Sequence, residues 1–173
     1  KKTLRIAHFK EAYIRLIITR GTGEIGLDPS LAHSPSFIIF CKELTPNPPQ
    51  WYIEGVKMII AQTQRNSKNS LDPSIKSGNY LNNLMAHTEA KKEGAFDAIM
   101  LNSQGYVTEG TTNNIWIVKN QTVITPPIEA GLLEGLTRKN LLEMMKRAKI
   151  EFKEANLLPS DLYQADEAFL TST

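Results

Sequence analysis

An α+β fold is expected from three observations on the 173-residue sequence. Runs rich in β-branched and aromatic residues, such as AYIRLIIT at 12–19 and SFIIFC at 36–41, read as strands. Two segments, 79–93 and 137–149, repeat their apolar residues at the helical period. Strand and helix are mixed without strict alternation, which argues against a doubly wound parallel sheet.

In chain order, the opening stretch to about Phe9 suits the last turns of a half-buried helix, with Leu4, Ile6 and Ala7 against Lys1, Lys2 and Arg5. The strands 12–19 and 36–41 are separated by RGTGEIGLDPS, whose Gly21, Gly23, Gly26 and Pro29 make a long loop. In ELTPNPPQ, residues 43–50, three prolines break any regular element, so an interdomain linker is expected there. Trp51 to Gln62 reads as strand, and the helix at 79–93 carries Leu81, Leu84, Met85 and Thr88 on one face. Phe96–Leu101 and Asn114–Val118 read as strands, then a turn at Lys119-Asn120 and a return strand at 123–125. The helix at 137–149 turns Leu141, Leu142, Met145 and Ala148 inward, and EAFLTST reads as a closing strand. An uncapped start and a strand at the very end make the chain read as the retained part of a longer polypeptide.

Composition narrows the function classes. Twenty Lys and Arg against 18 Asp and Glu leave a net charge of +2, too small and too dispersed for a nucleic-acid-binding stripe. The apolar runs are too short to span a bilayer, no secretory core opens the chain, and a soluble cytoplasmic protein is expected. Cys41 stands alone inside an apolar run and reads as a small buried hydrophobe. His8, His33 and His87 are scattered without metal-ligand spacing, so no metal is expected.

Three segments could carry chemistry. In IKSGNYL, Lys76 is expected between a strand and a helix, where a lysine can lose its proton and attack a carbonyl; a solvated loop lysine is the alternative. In GYVTEGTTNN, Glu109 closes a short apolar strand in a cramped polar corner and could face a ring nitrogen, or be a solvated turn residue. In EGLTRKNLL, Gly135, Leu136 and Thr137 precede a helix whose free N–H groups suit a phosphate, unless Thr137 merely caps it.

Taken together, these segments resemble the class IV aminotransferases, the pyridoxal-phosphate enzymes of fold type IV. The order runs from Lys76 in IKSGNYL through Glu109, Thr111, Asn114-Ile115, an aromatic at Trp116, Val123–Thr125, Leu133 and Gly135-Leu136 to Arg138; AYIRLIITRG and DEAFLTST match two further family segments. Trp116 stands where the family usually has Phe or Tyr. The resemblance implies a D-amino-acid-aminotransferase-like fold. Residues 1–42 would be the second half of a small α/β domain, 43–50 the linker, and 51–173 an incomplete large pseudo-barrel domain that binds the cofactor.

By the same resemblance, Lys76 would hold pyridoxal 5'-phosphate as a Schiff base and shuttle the substrate proton. Glu109 would pair with the pyridinium nitrogen. Leu136 and Thr137 would contact the phosphate, Thr173 would add a further contact, and Tyr80 would lie near the ring. Tyr13 and Arg15, which alternate along one strand face, would line the substrate pocket, Arg15 pairing with a second carboxylate such as that of glutamate. The expected reaction is transamination of branched-chain amino acids with 2-oxoglutarate by a homodimer or higher assembly. D-amino acid aminotransferase and aminodeoxychorismate lyase share the scaffold, and a cofactor-free interaction module is the alternative from another class.

Overall fold

The computed structural model describes residues 2–172. The chain divides into two compact units, Lys1–Glu54 and Gly55–Thr173, so the division falls beyond the proline-rich segment.

In the first unit, helix α1 (Lys2–Ala7) is followed by strands β1 (Ala12–Thr19) and β2 (Ser36–Glu43), which form a two-stranded antiparallel sheet with Tyr13 opposite Lys42 and Arg15 opposite Phe40. One face carries Ile14, Leu16 and Ile18 against Cys41, Ile39 and Phe37, and most of this apolar surface is exposed. Cys41 is only half-buried. Two paired strands cannot bury a core by themselves. Gln50–Ile53 forms α2, a single helical turn, where a strand from Trp51 was expected. Pro48 and Pro49 preset the backbone angles of a first helical turn, and their carbonyls accept from the Trp51 and Tyr52 N–H groups. Gly55, at φ 77°, then ends the turn in a conformation that side chains resist.

The second unit holds two sheets. Strand β3 (Met58–Ile60) pairs parallel with β4 (Asp97–Leu101), which pairs antiparallel with β5 (Val107–Gly110); helix α3 (Leu81–Lys92) connects β3 to β4. The second sheet is built from β6 (Asn114–Lys119), β7 (Thr122–Thr125), β8 (Phe152–Glu154) and β9 (Glu167–Thr171), ordered β8-β7-β6-β9. The β6–β7 hairpin turns on Asn120 and Gln121, both at positive φ, one residue later than expected. Asn tolerates that region comparatively well. Ile99 and Val107 from the first sheet pack with Ile115, Ile117 and Ile124 from the second, so one apolar cluster joins the sheets.

Helix α3 buries a different face from the expected one. Ala86 and Ala90 pack against Ala61, Ala95, Ala98 and Met100, while Leu81, Leu84 and Met85 stay exposed. Small side chains let the helix approach the sheet closely, and this contact outweighs the helical stripe of larger residues. Helix α4 (Leu136–Ala148) turns Met145 inward with Leu141 and Leu142 half-buried, but Ala148 is exposed. Its other buried residue is Arg138, which donates to the Pro126 carbonyl and pairs with Glu154, fixing the helix start to β8. The short helix α5 (Pro159–Tyr163) precedes β9.

Trp116 is fully buried, stacks on Phe169 across the β6–β9 pair at 5.8 Å, and donates its indole N–H to Thr171 Oγ1. Phe or Tyr could supply the stacking but not this indole donor.

Candidate active site

Glu109 occupies the centre of the candidate site. It lies at the end of β5, where the strand enters a turn closed by a bond from the Gly110 N–H to the Asn113 carbonyl. Asp97, buried at the start of β4, holds this turn from below. It accepts from the Thr111 N–H at 3.1 Å, the Thr111 hydroxyl at 2.6 Å and the Asn113 amide at 2.7 Å. His87 on α3 lies 3.2 Å from the same carboxylate. The turn therefore has a fixed floor, and Glu109 leaves it in a fixed direction.

Each oxygen of Glu109 is engaged. Oε1 accepts from Arg65 Nε at 2.9 Å and lies 2.9 Å from Arg65 Nη2, with both side chains almost wholly buried. Oε2 accepts from the Leu133 N–H at 3.1 Å and, at 3.4 Å, from the Asn114 amide. Burial pushes the Glu109 carboxyl up to about 7, against the pull of the Arg65 guanidinium, the Leu133 N–H and the charge of Lys76. The group thus sits poised between its two protonation states near neutrality. Of these influences, the charge of Lys76 is the smallest.

Lys76 is exposed in the loop 61–80 between β3 and α3, not at the end of a strand as expected. Local turns shape this loop: Asp72 accepts from the Ser74 and Ile75 N–H groups, and Ile75 from that of Ser77. Tyr80, exposed, is the residue that opens α3.

Leu136 and Thr137 form the first turn of α4 behind Gly135, which has no side chain to cap the helix. The Thr137 hydroxyl does not cap its own helix either. It donates to the Ser172 carbonyl at 2.9 Å, joining the helix start to the chain just beyond β9. Thr173, expected to add a phosphate contact, lies outside the described residues. Asn114 links this corner to Glu109, since its amide also donates to the Leu133 carbonyl at 3.0 Å. Gly135 lies directly over Asn114, so that a Cβ there would collide with Asn114 Oδ1. Gly135→Ala is accordingly expected to displace the Leu133–Leu136 turn and cost about 1–3 kcal/mol, because Asn114 is held by two partners and cannot swing away. Thermal unfolding checks this; an unchanged midpoint would show that the turn yields freely.

Lys76, Tyr80, Glu109, Leu136 and Thr137 lie in the second unit, and Tyr13 and Arg15 share one face of the sheet in the first. Sequence reasoning missed Arg65 and Asp97. Arg65 sits in the polar stretch QTQRNSKN with no apolar period around it. Asp97 is the lone charge opening a buried strand, and that was an available signal.

The chain belongs to the class IV aminotransferases: the family described as Amino-transferase class IV matches residues 1–173. A putative branched-chain-amino-acid aminotransferase of Methanocaldococcus jannaschii is 41% identical over 172 residues, which are 99% of this chain and 59% of that protein. The crystal structure of the Escherichia coli branched-chain amino acid aminotransferase matches with a TM-score of 0.92 at 30% identity, covering 99% of this chain and 57% of that one. The branched-chain amino acid aminotransferase of T.th., complexed with N-(5'-phosphopyridoxyl)-L-glutamate, gives a TM-score of 0.88 at 26% identity, covering 99% and 55%. The chain thus spans somewhat under three-fifths of the length of these relatives.

Proposed function

We propose that the whole protein is a pyridoxal-phosphate-dependent aminotransferase that moves an amino group between a branched-chain amino acid and 2-oxoglutarate. One observation carries the reading: a buried carboxylate, Glu109, held in a fixed orientation by Arg65, the Leu133 N–H and Asn114. The donor set fits the cofactor. There is an exposed primary amine, a buried carboxylate for a ring nitrogen, and a helix start whose first-turn N–H groups have no intrahelical partners.

In this reading Lys76 holds the cofactor through its amine, Glu109 faces the ring nitrogen, and Leu136 and Thr137 hold the phosphate, with Thr173 and Tyr80 as further contacts. When bound, the cofactor supplies a ring that takes up the electron pair left on carbon by proton removal. Lys76 Nζ takes that proton from the substrate α-carbon and returns it on the other side of the reaction. Glu109, once ionised, keeps the ring nitrogen protonated, and the floor built by Asp97 holds it in line. Tyr13 and Arg15 are the proposed substrate contacts, Arg15 pairing with the second carboxylate of glutamate.

The same proposal includes a cytoplasmic setting and a homodimer, for which the exposed Leu81, Leu84 and Met85 on α3 offer apolar surface. Among the described residues, no helix is long and apolar enough to cross a membrane.

The test is the full-length protein assayed with a panel of L- and D-amino acids against 2-oxoglutarate, with aminodeoxychorismate as a separate arm. Leucine, isoleucine and valine are expected to be the best donors. Preference for D-amino acids, or turnover only of aminodeoxychorismate, would overturn the substrate assignment.

A further inference from the structure

Arg65 does more than neutralise a neighbour. Its backbone N–H donates to the Leu101 carbonyl at the end of β4, so the residue is anchored before its side chain begins. The guanidinium then divides its donors. Nε and Nη2 meet Glu109 Oε1, while Nη1 reaches Asn82 Oδ1 at 3.2 Å and Asn83 Oδ1 at 3.3 Å in the first turn of α3. Asn82 in turn donates to the Gln64 carbonyl at 2.7 Å, and its Oδ1 accepts from the Asn66 N–H. Asn83 donates to the Thr111 carbonyl at 2.6 Å, inside the turn that Glu109 enters.

We infer that Arg65 is a positioning residue, a clamp that fixes the Glu109 carboxylate to the start of α3 and so sets it relative to the segment carrying Lys76. This rests on the role proposed for Glu109. The clamp leaves Oε2 to the Leu133 N–H and Asn114, so the two oxygens have different environments and the carboxylate cannot rotate freely. Only a planar fork can bond Glu109 on one edge and two asparagines on another; a lysine ammonium would replace the charge without the geometry. Two positive groups act on Glu109: Arg65 in contact, and Lys76 through its charge. Of these, Arg65 is the larger influence holding the carboxyl down against burial.

The experiment uses the full-length protein with Arg65→Gln and Arg65→Lys, each confirmed as folded by circular dichroism. Isotope-edited infrared spectra of cofactor-free protein, with Glu109→Gln as the blank, read the protonated-carboxyl stretch of Glu109 against pH. The wild type is expected to titrate near 7, and Arg65→Gln at a clearly higher pH. In the cofactor-loaded enzyme, Arg65→Gln is expected to lower kcat about ten- to a hundredfold with little change in KM, the scale of one charge-assisted interaction. Arg65→Lys should restore much of the titration but little of kcat, because it returns charge without the fork. A merely structural arginine would lower the unfolding midpoint and leave the Glu109 titration in place, and that result overturns the inference. So does full kcat in Arg65→Lys, which remains decisive if Arg65→Gln fails to fold. Wild-type turnover in Glu109→Gln would instead remove the role of Glu109, while the infrared shift would still report whether the clamp exists.

Discussion

Lys76→Ala in the full-length protein is expected to leave the fold intact and reduce transamination by at least about four orders of magnitude. In the proposed function the substitution removes both the amine that holds the cofactor and the group that moves the substrate proton, and positioned acid–base catalysis alone contributes up to about 10⁴-fold. Its cost to stability should be small, within about 0.5 kcal/mol, because Lys76 is an exposed loop residue. Lost activity without lost stability is therefore the expected pattern. Borohydride reduction and peptide mapping of the wild-type protein should label the peptide that holds Lys76. The competing lysines differ in circumstance. Lys57 donates to the Glu93 carbonyl at 2.6 Å, and Lys68 lies close enough to Asp72 to act on its carboxyl. Labelling confined to Lys57 or Lys68 would overturn the assignment.

Glu109 and Gly135-Leu136-Thr137 stood out in the sequence because each sits at a junction that composition marks, by small polar residues or by the start of a helical period, whereas Lys76 lies within a loop and not at the expected strand end. Strands 12–19 and 114–118 were legible for a similar reason, since β-branched residues fit a pleated surface whichever neighbour covers it. The buried face of α3 was not. A stripe of Leu81, Leu84 and Met85 carries the stronger apolar signal, yet the sheet accepts Ala86 and Ala90, and only the spacing between helix and sheet decides that. The first turn at Gln50–Ile53 was hidden in the same way, because prolines that end one element can open the next.

The partners of Glu109 were the least legible part of the site. Arg65 lies 44 positions away in sequence, and nothing local distinguishes it from the neighbouring Lys68. Asn114 appears in the family order, but its contacts with Glu109, the Leu133 carbonyl and Gly135 exist only after β5, β6 and the α4 start are assembled. A motif therefore locates Glu109, whereas the groups that hold it are gathered by tertiary structure.

Glu109→Gln tests that distinction with two independent readings. Cofactor loading should survive, because Lys76 and the α4 start are untouched. Transamination should slow by about a hundredfold or more, since a preorganised charge partner contributes several kcal/mol to charge development. The second reading needs no cofactor. An acid whose pKa is raised by folding is bound to its proton more tightly in the native state, so the native state loses stability as pH rises. For Glu109 the favourable protonated form is fully present below the ordinary value of 4.5 and is lost as pH passes through about 7. Cofactor-free wild-type protein should thus lose about 3 kcal/mol across that window from this group alone. Glutamine does not titrate and resembles the protonated wild-type side chain, so the variant should lack this decline. Denaturant midpoints of the two proteins, followed from pH 4.5 to 7, should therefore separate as the wild type falls and the variant does not. Parallel curves would mean that Glu109 titrates like a solvated carboxylate, and full turnover in the variant would mean that no charge at this position serves the reaction.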